Sequence, residues 1–573
     1  MKKHISGLAI ILATSLLATS CLDNTLKDRV AVEGYYTTEA QATNAIMGVY
    51  STLTQFAYHK TNWPMVLAGV EDAMFVTSTG NPASVSNNTL TANTSPVISF
   101  WGTLYTGINA ANEVLARVPA IEFANENDKN RILAEAHFLR GLFHYDLVRL
   151  YGGTKGIPVL TEPVTSLDNA YLPTTPISDV YGAADVDGSI IGDLEYAAGK
   201  NDDGTNRLPY YKDSQTEVGR ATNGAARGLL AEVYLTRGNW AKAVENADNV
   251  ITSNQYKLLD NYADLWNIGN KAAAYDEMVF VIPFFRDGGA TQDVSLGSNV
   301  AYFYCPNGIN ADGSNLSGNP YGKGEGGYRV QKWFIRYFQD DQGTLGYSDP
   351  TKDASTNTAN LVYKDYRIET SFFRSFQSKT TATPPVIGPK TAFPAAGPGQ
   401  DNWGYIMKYI DPQGLNNRTN GNDVPRLRLS DMYLIEAEAY NELGQYDLAC
   451  QAIDKVRERA RKADGTPRAW PKYIGSSNPD NIGRVLSKDE FRWLVFMERG
   501  LEFAGEQHRW FDLIRMKHDD ATPMYDYMMN TFIPSRPAAD VQAAGVMAQR
   551  KKTLPIPFAE VFRNPGVTQN PGY

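Results

Sequence analysis

One stretch near the carboxyl end of the chain places charged side chains among aromatic ones at helical spacing. Residues 491–517 read FRWLVFMERGLEFAGEQHRWFDLIRMK. Glu498, Glu502 and Glu506 follow one another at intervals of four, which places them on one face of a helix. A helix at the surface would separate charged from apolar faces. Because buried charges persist only when they are paired, the pattern predicts ion pairs in or near a core.

The charged residues of this stretch allow two interpretations. In the first, they form ion pairs that hold a structural helix in place. In the second, Glu498, Glu506, His508 and Asp512 act as the general acid and base groups of an enzyme. Paired carboxylates are common on helices without a catalytic role, so the structural interpretation is preferred.

The same stretch and the end of the chain resemble the SusD/RagB family. Residues 497–516, MERGLEFAGEQHRWFDLIRM, are similar to the signature helix of that family, and the ending LPIP, Glu560, Asn564-Pro565 and QNPGY is similar as well. The resemblance covers the whole mature chain. It implies a lipoprotein of Bacteroidetes that captures glycans at the cell surface beside a TonB-dependent, SusC-like transporter of the outer membrane. It also implies a binding protein that has no catalytic residues and no cofactor.

The amino terminus has the composition of a secretory signal. Lys2, Lys3 and His4 form a positive end, and the apolar run that follows is too short to span a bilayer. The run ends in small residues before Cys21, as in a bacterial lipobox. This pattern predicts a signal peptide over residues 1–20 and acylation of Cys21, which would anchor the chain to the outer membrane. The alternative is a plain secretory signal with an incidental cysteine.

Net charge and cysteine spacing narrow the classes of partner. The formal net charge of −9 argues against non-specific binding to nucleic acid or to an anionic membrane. The cysteines show no zinc-ligand spacing, so no metal site is predicted, and His137 and His144 are interpreted as packing residues. A disulfide between Cys305 and Cys450 is possible, but no feature of the sequence supports it.

Two segments share one pattern of small and aromatic residues at identical spacing. The matching positions are Ala231, Tyr234, Gly238, Trp240 and Ala243 in residues 220–252, and Ala437, Tyr440, Gly444, Tyr446 and Ala449 in residues 426–460. The pattern is typical of tetratricopeptide repeats, in which a glycine turns between two antiparallel helices that cross closely at alanines. Stacked helix pairs form a superhelical scaffold. We therefore predict a mostly α fold, a tetratricopeptide-like scaffold with minor β structure.

The region between the two repeats has a different composition. Gly, Asn, Pro and Ser increase over residues 283–425, and aromatic residues are scattered there without periodicity. A long loop region inside a compact protein is usually functional or disordered, and the aromatic content argues against disorder. The predicted organisation is therefore a signal peptide (1–20), an amino-terminal helical region (21–282), a loop-rich ligand-binding insertion (283–425) and a carboxyl-terminal helical region (426–573).

The candidate ligand site consists of aromatic and polar residues in two regions, an early loop region from Trp63 to Trp101 and the insertion (283–425). Sugar rings stack on Tyr and Trp, while polar side chains bond the hydroxyl groups. In the family that the chain resembles, ligands meet an exposed aromatic platform formed by such loops. The candidates are Trp63, Asp72, Tyr302, Tyr304, Tyr328 and Trp333. The three tyrosines are preferred because their Gly- and Asn-rich flanks leave them room to be exposed, whereas Trp101 is expected in the core.

The predicted function is a nutrient-binding lipoprotein that captures glycans for a transporter. No P-loop, dinucleotide fingerprint, nucleophile elbow or HExxH motif is present. Two alternatives stay open. A secreted glycoside hydrolase needs only two carboxylates, so missing motifs do not exclude it. The other alternative is a member of the same family that binds peptides or serves as a protein scaffold.

Overall fold

The computed structural model describes part of the chain. The described residues are 32–77, 79–210, 217–285, 296–305, 327–338, 365–373, 375–379, 387–391, 403–411, 420–460, 486–542, 547 and 551–573. The predictions for the signal peptide and for Cys21 lie outside these ranges, as does much of the predicted insertion.

The described chain is mostly helical. The α-helices are α1 (Val32–Tyr35), α2 (Glu39–Tyr50), α3 (Asn62–Val70), α4 (Asn81–Ser86), α5 (Ser95–Arg117), α6 (Glu126–Leu147), α7 (Leu167–Ala170), α8 (Ile177–Tyr181), α9 (Ile190–Ala198), α10 (Asn223–Thr236), α11 (Trp240–Thr252), α12 (Lys271–Ala274), α13 (Val300–Tyr304), α14 (Lys332–Arg336), α15 (Arg367–Ser371), α16 (Leu429–Glu442), α17 (Tyr446–Ala460), α18 (Lys488–Glu502), α19 (Arg509–Arg515), α20 (Met524–Tyr527) and α21 (Phe558–Arg563). Short 3-10 turns lie at Ser51–Thr54, Val118–Ala120, Tyr262–Trp266, Ile268–Asn270, Ile533–Ser535 and Ala538–Asp540. Single π-helical turns lie at Phe56–Lys60, Val148–Gly152 and Met528–Phe532.

The long helices pack one on the next. The order of contact is α5, α6, α9, α10, α11, α16 and α17, so the two repeat units are neighbours in space. Each unit is a helix hairpin whose turn carries a glycine with positive φ, Gly238 at +71° and Gly444 at +74°. Only glycine adopts this conformation without a steric penalty from Cβ. The predicted tetratricopeptide-like scaffold is confirmed.

Side-chain caps fix where the scaffold helices begin. Thr222 accepts a hydrogen bond from the backbone N–H of Ala225 (3.0 Å) at the start of α10. Ser487 and Glu490 form a reciprocal capping box at the start of α18. Each cap satisfies backbone donors that the first helical turn leaves unpaired.

The strands form three two-stranded antiparallel sheets among the described residues. They are β1 (Met74–Val76) with β3 (Tyr328–Val330), β2 (Met278–Ile282) with β6 (Val424–Arg428), and β4 (Ser375–Lys379) with β5 (Ile387–Thr391). The minor β structure that the sequence predicts is therefore present. Cys305 and Cys450 are both buried and both free, so the disulfide that the sequence left open does not form.

The signature stretch is two helices rather than one. Helix α18 ends at Glu502 and α19 begins at Arg509. The turn between them has positive φ at Gly505 (+76°) and Gln507 (+65°). The prediction that Glu498, Glu502 and Glu506 share one helical face is wrong for Glu506, because this turn carries it away from the helix.

The ion pairs predicted for this stretch are confirmed. Five cations and five carboxylates form one buried group, which we call the charge cluster. Its members are Arg367, Lys408, Arg428, Arg457, Arg459, Glu277, Asp365, Glu498, Glu502 and Glu506. Glu502 lies at its centre and accepts hydrogen bonds from Arg459 (2.5 Å), Arg428 (2.8 Å) and Arg367 (3.0 Å). Burial alone would raise the pKa of Glu502, but these guanidiniums hold it well below its usual value.

Candidate ligand-binding surface

Two of the preferred tyrosines lie in the core. Tyr304 and Tyr328 have no exposed surface, and their hydroxyls donate to the carbonyl oxygens of Pro64 (3.3 Å) and Met65 (2.8 Å) in α3. The prediction that they are exposed is wrong, because both side chains pack against α3. Both tyrosines therefore connect the insertion to the scaffold and do not face a ligand.

Most of the other candidate residues are buried as well. Trp63 packs against Phe511 at 5.7 Å between ring centroids, Trp333 is fully buried, and Trp101 is buried as expected. Asp72 is also buried, and Arg509 binds both of its carboxylate oxygens at 2.8 and 2.9 Å. An exposed role for Trp63, Asp72 or Trp333 is therefore excluded by the packing around them. Tyr302 is half-buried, and its role in binding stays a prediction.

The β1–β3 ribbon joins the two loop regions in which a site was expected. Strand β1 follows Asp72 in the early region, β3 lies in the insertion, and Phe75 pairs directly with Arg329. Residues 403–405 extend the ribbon through a bridge between Val330 and Gly404. Side chains alternate along strands, so Phe75, Arg329 and Trp403 share one face.

The outer face of this ribbon combines aromatic and basic groups. The Trp403 ring meets Phe75 edge-on at 4.8 Å, and Lys332 Nζ lies 4.7 Å from the Trp403 centroid. Arg329 lies over the Tyr405 ring. Trp403, Arg329 and Lys332 are each half-buried. We call Phe75, Arg329, Lys332 and Trp403 the ribbon surface, which is able to stack on a flat apolar ring and to donate hydrogen bonds beside it.

Trp403 was not among the sequence candidates, although a signal for it existed. It stands between Asn402 and Gly404, the same kind of flank that favoured the three tyrosines. The flanking residues do not reveal that Gly404 pairs with Val330. This pairing places the Trp403 indole next to Phe75 and Lys332. The ribbon surface thus depends on contacts between segments far apart in the chain.

The three carboxylates proposed as acid and base catalysts, Glu498, Glu506 and Asp512, are held in ion pairs. Glu498 lies 2.7 Å from Arg367, Glu506 lies 2.7 Å from Lys408, and Asp512 lies 2.9 Å from Arg499. All of these carboxylates are buried. Burial also lowers the pKa of His508. The ion pairs that the structural interpretation predicts for these carboxylates are therefore present.

One group of side chains has the spacing of a metal site. His137, Asp187 and Asp193 each offer a ligand atom within 4.8 Å of the others. Arg140 Nη2 already lies 2.7 Å from an oxygen of each aspartate, and His137 Nδ1 bonds Asp193 at 2.8 Å. The guanidinium supplies the positive charge that a metal would bring, so this is an ion-pair network. His137 is a member of it rather than a simple packing residue, whereas His144 is buried in the core as predicted.

The described chain is a stack of helix hairpins that carries a ribbon of aromatic and basic side chains. A family model described as the SusD family matches residues 276–573, which is more than half of the chain. A second, described as starch-binding and associating with the outer membrane, matches residues 28–235. The chain belongs to the SusD family.

Relatives and solved structures agree with this assignment. SusD-like protein P2 of Formosa agariphila is 28% identical, and the match covers 100% of both chains. A SusD homolog from Bacteroides thetaiotaomicron has the same fold, with a TM-score of 0.71 at 22% identity over 95% of this chain and 99% of that one. A structure titled laminarin binding SusD-like protein superposes with a TM-score of 0.65 at 23% identity over 94% of this chain and 100% of that one. None of the described helices is long and apolar enough to cross a membrane.

Proposed function

We propose that this protein captures glycans at the cell surface and passes them to a TonB-dependent transporter. The observation that carries the proposal is the ribbon surface, where the Trp403 ring stands beside Lys332 and Arg329 on a hydrogen-bonded backbone. Sugar rings stack on indoles, and their hydroxyls accept hydrogen bonds from basic side chains. Family membership supports the proposal, since one matching family model is described as starch-binding and one structural neighbour as laminarin binding.

The ribbon surface is tested by Trp403→Ala in the mature chain. Loss of one stacking ring removes about 1 kcal/mol, so we expect about fivefold weaker binding of laminarin or soluble starch, whichever the parent binds. Isothermal titration calorimetry measures this change, with melting curves to verify folding. The matched control is Phe562→Ala, which removes a ring that is 77% exposed on α21 and should leave affinity unchanged. Equal affinity of folded Trp403→Ala and the parent would contradict the assignment.

We further propose that the protein binds its glycan without cleaving it. The carboxylates of the signature stretch are paired and buried, which leaves them unavailable to a glycosidic bond. Release of reducing sugar from laminarin or starch by the purified parent would instead support the glycoside hydrolase alternative.

A lipid anchor at Cys21 is the proposed means of holding the protein at the outer membrane. The apolar run and the small residues before Cys21 motivate this assignment, and the family description supports outer-membrane association. We expect the parent to fractionate with outer membranes, together with its transporter, and Cys21→Ala to appear in the soluble fraction. Firm retention of Cys21→Ala in the membrane would disprove the anchor.

A further inference from the structure

A cavity away from the ribbon surface has the size of a ligand pocket. It holds about 410 Å³ and opens between the 3-10 turn Tyr262–Trp266, α15, residues 407–410 and the end of α17. Pockets for small molecules typically enclose about 300–1,000 Å³. Three other cavities lined by described residues hold about 20 Å³ each, which is room for a single water molecule. We call the larger cavity the Trp266 cleft.

The walls of the Trp266 cleft combine rings with hydrogen-bonding groups. Trp266 and Tyr366 are both half-buried, so part of each side chain remains accessible. Trp266 packs edge-on against Tyr409 at 5.3 Å between centroids, which fixes the orientation of the indole. Asn267 accepts from the N–H of Gly269 through its side-chain oxygen, which leaves the amide NH₂ group to donate elsewhere, and Thr370 adds a hydroxyl.

The floor of the cleft consists of cationic side chains that are paired with carboxylates. Lys408 Nζ lies 4.9 Å from the Trp266 centroid, and it donates to Glu506 Oε1 (2.7 Å) and to the carbonyl oxygen of Glu502 (3.0 Å). Arg367 and Arg459 line the same floor and are paired within the charge cluster. Because that cluster balances five cations with five carboxylates, the floor offers oriented polar groups without a net charge. Glu369, which is exposed at the edge of the cleft, adds a carboxylate that accepts hydrogen bonds from hydroxyl groups, so a neutral ligand suits this site better than an anion.

We propose that the Trp266 cleft is a second carbohydrate-binding site, which takes a neutral sugar unit against Trp266 and Tyr366. The inference rests on the proposed capture of glycans but not on the ribbon surface. Residues 403–411 connect the two sites, since Met407 lines the cleft and Trp403 belongs to the ribbon. Four residues of extended chain span at most about 14 Å, so one long glycan is able to reach both sites. Engagement of both would raise the affinity for long chains above that for short ones.

The test counts binding sites on the mature chain with a short laminarin oligosaccharide. We expect calorimetry to find two oligosaccharides per parent chain, with one site weakened about fivefold by Trp266→Ala and the other about fivefold by Trp403→Ala. Trp266 packs on Tyr409, so its removal could disturb folding. Thr370→Trp therefore serves as a second variant that fills the cleft and leaves the indole in place. Melting curves confirm folding, and either cleft variant is expected to weaken binding of a long laminarin at least fivefold.

The outcomes separate this inference from the proposed function. A single site that Trp403→Ala weakens and both cleft variants leave intact would overturn the cleft alone. A single site weakened in the cleft variants and unchanged in Trp403→Ala would support the cleft and overturn the ribbon surface. A parent that binds neither laminarin nor starch would overturn both assignments.

Discussion

Replacing Glu502 with alanine is expected to lower the free energy of unfolding by about 3–5 kcal/mol, since it leaves buried cations without their partner. Glu502 has no exposed surface and lies within 3.0 Å of guanidinium nitrogens from Arg367, Arg428 and Arg459. These arginines come from α15, β6 and α17, so the carboxylate joins three elements to α18. Chemical denaturation of the mature chain measures the loss.

The matched control for Glu502 is a glutamate in an exposed pair. Glu245 lies 2.8 Å from Lys242 on α11, and the two side chains are 53% and 46% exposed. Exposed pairs contribute between about 0 and 1 kcal/mol, so Glu245→Ala should change stability little. A Glu502→Ala variant as stable as Glu245→Ala would show that the charge cluster does not hold the fold together.

The second large effect is a gain in stability from Glu436→Gln at alkaline pH. Glu436 lies on α16, which packs against α11 at the junction of the two repeat units. Its side chain is 8% exposed, and no basic group forms an ion pair with it among the described residues. Burial, together with the charge of Asp248 on α11, raises the pKa of Glu436 to about 8. The folded protein therefore holds a proton that the unfolded chain gives up near pH 4.5.

The pH dependence follows from this difference in proton binding. Between pH 4.5 and 8 the folded state binds more protons than the unfolded state, so Glu436 lowers stability progressively as the pH rises. We expect Glu436→Gln to be more stable than the parent by roughly 2–4 kcal/mol at pH 8 and nearly equal to it at pH 4.5, since one pKa unit is worth about 1.4 kcal/mol. Melting curves across this range measure the effect, with Glu245→Gln as the exposed control. A parent and a Glu436→Gln variant with the same pH profile would contradict the raised pKa.

Some features of the fold could be predicted because their cause is local. The spacing of Gly238 and Gly444 within their repeats predicts both helix hairpins, and the structure has both. Charged and aromatic residues are interleaved in the signature stretch, so a helix that buries the aromatic side chains also buries the charged ones. Buried charges need partners, and the pattern therefore predicts ion pairs. The identity of the partner cations was not predictable, since Arg367 and Arg428 are distant in the chain.

The candidate site was predicted as a region but not as a set of residues. The early loop region and the insertion do meet, at the β1–β3 ribbon, yet the rings chosen within them were mostly buried. Gly- and Asn-rich flanks describe how freely a residue's own backbone turns, and they carry no information about what packs on the residue. Trp403 is identified by its contact with Phe75, and Trp266 by the cavity that it lines.

The sequence by itself determined the helical repeats, the need for buried ion pairs and the family resemblance, because periodicity and motif spacing are properties of neighbouring residues. Only the tertiary structure decided which aromatic rings face solvent. Tyr328 bonds the carbonyl of Met65, and Asp72 binds Arg509 from the far end of the chain. Burial depends on which distant segment packs over a side chain, and that depends on the whole three-dimensional arrangement of the helices.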